Sequence, residues 1–349
     1  GSEERLATLL SLGWEPGISN NEKEILLEEA LKISLKLENQ QSQFWASYHL
    51  VEVNYFTGNP ERARKLAAKC LKLAQKCDEN SLLAYAYIAL ATVGNFDDDA
   101  ESALKYTKKS MALMKATDDR FGRMLAFFHK ASALARSGKK QKALKMAHRV
   151  LAMAEELGDQ KTYCITSNNI GLIYHSLYNN DKALAYFEET RRLARQINYV
   201  QFEAATLQNI GMVYSESFGD FDKARKYVEE ALIANKKAGN KRYIARNMLE
   251  ISVIEIKAGN YEKAMQCCSN CLELVTEKEG GIYVAAVKSR MAACLVETKD
   301  YETAIKFIDQ ALAQKELQKN AQLLSMTYET ASRLYEKNGD FEQALHFYK

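Results

Sequence analysis

One small residue returns about every forty positions along the chain. Ala63, Ala103, Ala143, Ala183, Ala224, Ala264, Ala304 and Ala344 are separated by steps of 40, 40, 40, 41, 40, 40 and 40. A fixed period of this length marks a repeat array, in which each unit buries its apolar side only against its neighbours. Most of the alanines follow a turn signal, as in Gly219-Asp220-Phe221, Gly259-Asn260-Tyr261, Lys299-Asp300-Tyr301 and Gly339-Asp340-Phe341. In most periods a second small residue stands twelve positions earlier: Ala91, Ala131, Gly171, Ser252, Ala292 and Ser332. Val51 is the exception. Gly211 stands thirteen before Ala224, which predicts that the extra residue falls in the Ser217–Asp220 turn.

Two small residues per period let two backbones approach closely, and helical spacing of the apolar residues says which backbones. In 183–194 they are Ala183, Leu184, Phe187, Leu193 and Ala194, one face of a helix. With only 2 Pro and 16 Gly in 349 residues, little interrupts such helices. Each period therefore reads as a helical hairpin. In the fifth, helix A runs over about 161–177 and helix B over about 181–197, each ~26 Å long at ~1.5 Å per residue. Projected back, the period reaches Lys23, so 20–37 reads as the second helix of a degenerate first repeat.

Here the residues resemble the tetratricopeptide family. The fifth repeat holds Asn169-Ile170-Gly171-Leu172-Ile173-Tyr174 and Ala183-Leu184-Ala185-Tyr186-Phe187. The sixth holds Asn209-Ile210-Gly211-Met212-Val213-Tyr214 and Ala224-Arg225-Lys226-Tyr227. These match the family's Gly-x-x-Tyr on helix A and Ala-x-x-x-Phe on helix B. HEAT and armadillo repeats share a period of ~40–47 but lack this pairing. The chain departs from the common period of about 34. It also lacks the family's proline after helix B, where junctions are polar, as in Leu157-Gly158-Asp159 and Ala238-Gly239-Asn240. The longer period is similar to that of bacterial sensory and regulatory arrays and of animal polarity adaptors.

The resemblance implies an all-α, right-handed superhelical solenoid of helix-turn-helix hairpins forming a single array over residues 1–349. About eight full repeats are expected, with an irregular repeat over 1–38, regular ones over 41–338, and the start of an incomplete helix B over 339–349. A full last helix would run to about residue 357, so the native chain is expected to continue.

Chemistry is constrained mainly by what is missing. Net charge is +3, from 48 basic and 45 acidic side chains, which makes no case for nucleic acid or a membrane surface. No apolar run approaches the ~18 residues of a membrane span. Seven cysteines without framework spacing point to reduced thiols and a cytoplasmic address. A periplasmic one stays open if a leader once preceded Gly1-Ser2, which reads as a tag remnant. There is no Walker loop, dinucleotide fingerprint or nucleophile elbow, and the five histidines fall at unrelated phases of the repeat. No catalytic residue, metal or cofactor is expected, and the chain is read as a non-enzyme. Cys267-Cys268-x-x-Cys271 lacks the further ligands zinc needs, and Cys271 fills a small-residue slot held by Ala231 and Ala311 in neighbouring repeats. Asp97-Asp98-Asp99 reads as a helix N-cap. Lys139-Lys140-x-Lys142 and Arg191-Arg192-x-x-Arg195 read as solvated helix faces.

By resemblance, helix A lines the concave surface and meets a protein or peptide partner. Positions one and four after the small slot share a face with three and six before it. That face offers Trp45, Tyr48, Glu52 and Tyr55, then Tyr85 and Ile88, then Leu125 and Phe128. Further on come Ile165, Asn168, Leu172 and His175, then Ala205, Gln208, Met212 and Ser215, then Arg246 and Arg333. The groove candidates are Trp45, Tyr48, Tyr85, Phe128, Asn168, Asn169, His175, Gln208, Asn209 and Arg246. They pass from aromatic anchors through amides, which both donate and accept, to charge. The resemblance implies a sensory or docking region of a larger bacterial regulatory protein, with an output domain such as a diguanylate cyclase, kinase or DNA-binding domain beyond residue 349. The alternative is a free-standing adaptor or peptide receptor, such as a quorum-sensing regulator or polarity scaffold. A homodimer stays open.

Overall fold

A computed structural model describes residues 1–237, 241–274, 277–315 and 317–349. The Ala238-Gly239-Asn240 junction lies outside the described residues. The chain divides into two compact units, Gly1–Phe202 and Glu203–Lys349. Among the described residues all regular structure is helical, and no helix is long and apolar enough to cross a membrane.

Unit 1 is a row of hairpins. α1 (Ser2–Leu12) pairs with α2 (Asn20–Lys36), and α3 (Gln40–Thr57) with α4 (Pro60–Cys77). α5 (Asn80–Phe96) pairs with α6 (Ala100–Met114), α7 (Arg120–Arg136) with α8 (Lys140–Leu157), and α9 (Gln160–Ser176) with α10 (Asn180–Gln196). The first helices of neighbouring hairpins also touch one another, α3 on α5, α5 on α7 and α7 on α9. Unit 2 holds residues 203–213 of α11 (Val200–Val213), then α12 (Phe221–Lys237), α13 (Lys241–Lys257) and α14 (Tyr261–Leu274). α15 (Glu277–Glu297), α16 (Tyr301–Leu312), α17 (Ala321–Asn338) and α18 (Phe341–Tyr348) complete it.

One backbone device punctuates nearly every helix. A single residue turns left-handed, with φ 53° at Glu38, 93° at Gly58, 51° at Asp78, 62° at Asp98, 73° at Gly138 and 67° at Gly158. The next residue's N–H then reaches back to a carbonyl five positions earlier, as Asp159 does to Ala154 at 2.9 Å and Asp340 to Tyr335 at 2.9 Å. That same residue is usually an Asx cap for the next helix, as when Asp159 Oδ1 accepts from the Thr162 N–H at 3.1 Å. Reversal and restart thus take two or three residues. Tyr178 holds this conformation at φ 59° with its side chain 91% exposed. A β-carbon there opposes the backbone and no burial compensates. Tyr178→Gly is expected to raise stability by about 0.5–1 kcal/mol, and an unchanged or lower denaturant midpoint would count against this account.

The extra residue of the sixth repeat is not in the Ser217–Asp220 turn alone. It is taken up one turn earlier, in a π-helical turn over Tyr214–Phe218. The N–H of Asp220 consequently reaches the carbonyl of Tyr214, six positions back instead of five, at 3.0 Å. Widening one helical turn keeps the Asx cap and left-handed Gly219 in register, with less disturbance than lengthening the connection.

The recurrent alanines sit where helices touch. Ala63, Ala103, Ala143, Ala183, Ala224, Ala264 and Ala304 are fully buried. Opposite them the first helices carry residues with no room to grow. A β-carbon on Gly94 would meet the backbone N of Ala103 at 2.9 Å, and one on Gly171 would meet the Phe187 ring at 2.6 Å.

The acidic triplet divides its labour. Asp99 Oδ1 caps α6 by accepting from the Ser102 N–H at 2.9 Å. Asp97 binds Arg64 at 2.7 Å and the Tyr55 hydroxyl at 2.9 Å, and Asp98 pairs with Arg136 at 2.6 Å. The cysteine cluster is part of the core of unit 2. Cys268 and Cys271 are fully buried, and burial pushes their thiols up to about 11 and about 12. At neutral pH they are protonated, and Cys271 Sγ–H donates to the Ala245 carbonyl at 3.6 Å.

Candidate binding site

Four successive first helices of unit 1 turn side chains toward one cavity. α3 supplies Tyr48, His49, Val51 and Glu52, and α5 supplies Ala89 and Thr92. α7 supplies Leu125, Phe128 and His129, and α9 supplies Lys161, Thr162 and Ile165. The remaining wall is Trp14, from the connection between α1 and α2. The space between them is about 50 Å³, room for roughly three waters at ~15 Å³ each.

Beside it stands an aromatic cluster. Trp45 packs on Tyr85 with ring centroids 4.9 Å apart and on Tyr48 at 5.7 Å, both edge to face, and Tyr48 meets Tyr85 at 5.7 Å. Burial holds the Tyr48 and Tyr85 hydroxyls in their neutral form well above the usual tyrosine range, and Asp119 adds to the effect on Tyr85.

The polar part of the wall is unusual for its histidines and lysines. Burial lowers His129 to about 4. Its neighbours also suit the neutral ring. The Thr92 hydroxyl donates to the Ile88 carbonyl at 3.0 Å, so its oxygen accepts from Nε2–H of His129 at 3.3 Å. Nδ1 then accepts from the Asn95 amide at 3.4 Å. Both ring nitrogens are satisfied without a second proton, a tautomer assigned from this network. His49 is lowered to about 3, first by burial and then by the charges of Lys161 and Lys23. Lys23 is 3% exposed, and burial with the nearby Lys161 lowers its ammonium to about 8, opposed by Glu52 and Glu15. Lys161 is 8% exposed. Among the described residues no carboxylate stands within ion-pair distance of either lysine, and the Lys161 ammonium lies over the Trp14 ring, 4.0 Å from its centroid.

The groove candidates separate into groups. Trp45, Tyr48 and Tyr85 come together, and Tyr48 and Phe128 line the cavity. Asn168 is buried and Asn169 half-buried on α9, away from the cavity lining. His175 donates from Nδ1 to Asn180 Oδ1 at 3.1 Å, at the join between α9 and α10. Gln208, buried, Asn209, half-buried, and Arg246, exposed, belong to unit 2. Sequence reasoning missed His49, His129 and Lys161 because it drew the inner stripe too narrowly. Each lies four positions from a residue it did select, Trp45, Leu125 and Ile165, and so on the same helical face. Trp14 lies in the irregular segment before the periodic array and carried no such signal.

The tetratricopeptide repeat family model matches residues 161–237 and 283–349. These are tetratricopeptide repeats. Several solved structures share the fold over most of the chain. A Rap protein complexed with competence and sporulation factor superposes with a TM-score of 0.67 at 18% identity, covering 100% of this chain and 96% of its own. Aspartyl phosphate phosphatase F from Bacillus subtilis gives 0.65 at 17%, covering 100% and 92%. NprR in complex with its cognate peptide NprX gives 0.58 at 17%, covering 89% and 88%. At these identities the likeness is one of fold. No curated protein sequence matches the chain.

Proposed function

We propose that this tetratricopeptide array is a peptide-binding scaffold of the regulatory-receptor kind, and that its ligand lies along the first-helix face of unit 1. The observation that carries the reading is the cavity wall itself. Four successive first helices converge there with aromatic side chains and a buried lysine that has no carboxylate partner. An interior needs no such lysine for stability, since burying an ammonium costs several kcal/mol unless something pairs with it. A bound chain would supply apolar anchors to Phe128 and polar groups to Lys161, with the amides of Asn168 and Asn169 further along α9. Among structures of the same fold, a Rap protein is complexed with competence and sporulation factor and NprR with its cognate peptide NprX, which supports the same reading here.

A random peptide library displayed on phage and selected on the intact chain tests this. Selected peptides are expected to bind the wild type and to weaken about tenfold or more with Phe128→Ala or Lys161→Ala, each checked for unchanged circular dichroism. Binding that survives both changes but is lost with Arg192→Ala, on the exposed side of α10, would move the site to the other face.

A further inference from the structure

The connection between α1 and α2 does not behave like the others in unit 1. It takes seven residues, 13–19, where the hairpins from α3 to α10 close with two or three. A longer loop is free to reach away from its own hairpin, and this one reaches across the first-helix face. Trp14 meets the edge of Phe121 on α7 at 5.8 Å and 75°, and His49 on α3 at 5.6 Å and 56°. Its face receives the ammonium of Lys161 on α9. A β-carbon on Gly17 would lie 4.0 Å from the Asn198 carbonyl oxygen.

The attachment is made by a side chain and not by backbone. The Trp14 N–H donates to the Ser11 carbonyl at 3.1 Å, that of Glu15 to Leu12 at 3.2 Å, and that of Ile18 to Glu15 at 3.4 Å. All three bonds are local. Among the described residues, no backbone hydrogen bond ties 13–18 to the helices it crosses. Meanwhile Leu6 and Leu9 of α1 pack with Leu27, Ala30 and Leu31 of α2 in a core cluster that does not include Trp14. Trp14 itself packs, half-buried, against the core cluster that holds Phe44, Leu82 and Leu125, so lifting the loop uncovers that margin while the α1–α2 cluster keeps its own contacts.

We infer that Trp14 is a built-in occupant of the ligand seat, and that the partner is a peptide presenting an aromatic side chain that takes its place. This rests on the peptide-scaffold reading above and adds the ligand class and the regulation. The seat selects a π face. Lys161 is buried with no carboxylate partner, and a ring placed over its ammonium is the favourable contact available in a desolvated site. Because the loop is tethered, it competes at a high local concentration. The partner then binds only the fraction of molecules whose seat is open, which lowers its apparent affinity by that fraction.

The probe is a synthetic peptide of residues 11–18, with the same peptide carrying alanine for Trp14 as control, titrated against the intact chain. Trp14→Ala protein is expected to bind the probe at least about tenfold more tightly than wild type, and the control peptide not at all. Adding Lys161→Ala should weaken the probe about fivefold, while Lys161→Arg, which keeps the cation, should not. Equal affinity in wild type and Trp14→Ala, or no binding to a folded Trp14→Ala protein, overturns the inference. So does a Trp14→Ala protein that fails to fold, because Trp14 would then be core. If library-selected peptides still depend on Phe128 and Lys161 while the probe fails, the plug is wrong and the scaffold reading stands. Loss of both removes the scaffold reading as well.

Discussion

Phe187→Ala is expected to destabilise the hairpin of α9 and α10 by about 3–5 kcal/mol, the range for deleting a fully enclosed aromatic ring. Phe187 is 0% exposed, and its ring fills the space left by the absent side chain of Gly171. The size of the effect comes from that fit, because neither backbone can close on the hole while the hairpin's other contacts hold. The same fit predicts coupling. Gly171→Ala alone drives a β-carbon toward the ring and should cost about 1–3 kcal/mol. In the Phe187→Ala background the clash is gone, the methyl fills part of the hole, and alanine is favoured over glycine in a helix by about 1 kcal/mol. The double variant should therefore be more stable than Phe187→Ala by itself. Repeat arrays can unfold piecewise, so the quantity to follow is native-state hydrogen exchange of the α9 and α10 amides. Strictly additive losses in a double-mutant cycle would refute the account.

Acid should weaken unit 1 well before ordinary carboxylates titrate. His129 and His49 are held near 4 and 3 in the folded chain, against about 6.5 when unfolded. Between those values and 6.5 the unfolded chain binds protons that the native chain refuses. Stability therefore falls as pH falls through this window, by about 1.4 kcal/mol per pH unit for each histidine at most. From pH 7.5 to pH 5 the two sites together should remove about 2–4 kcal/mol. Glu22, Asp99, Asp220 and Glu255 are held below their usual values by hydrogen bonds and cations, so their own losses come at lower pH. His49→Gln with His129→Gln should flatten the dependence of the denaturation midpoint between pH 5 and about 6.5. An unchanged slope in that variant would show that other groups govern it. If the cavity opens when a ligand enters, solvent reaches both rings and the same slope should shrink.

Much of this molecule was legible in the chain itself. The alanine period located the helix contacts, because a position where two backbones touch tolerates only a small side chain. The apolar spacing between alanines gave helices, since residues three and four apart share a face. The Asp97-Asp98-Asp99 run gave a cap, made by Asp99, because a short side-chain oxygen can accept from a free N–H at the helix start. The groove face was half legible. Phase put Tyr48 and Phe128 on the face that lines the cavity, and His49, His129 and Lys161 lie four positions from Trp45, Leu125 and Ile165 on the same helices.

What the chain alone determined was local and periodic: which segments are helices, where they stop, and which side of each faces a neighbour. These follow from steric and hydrogen-bonding preferences that act within a few residues and repeat each time the pattern repeats. What only the tertiary structure decided was non-periodic and long-range. Trp14 meets α3, α7 and α9 because stacking brings distant turns together, and nothing in its sequence neighbourhood encodes that. The neutrality of His129 and the depressed Lys23 likewise depend on how much water the surrounding helices exclude, a property of the packed whole and not of any segment.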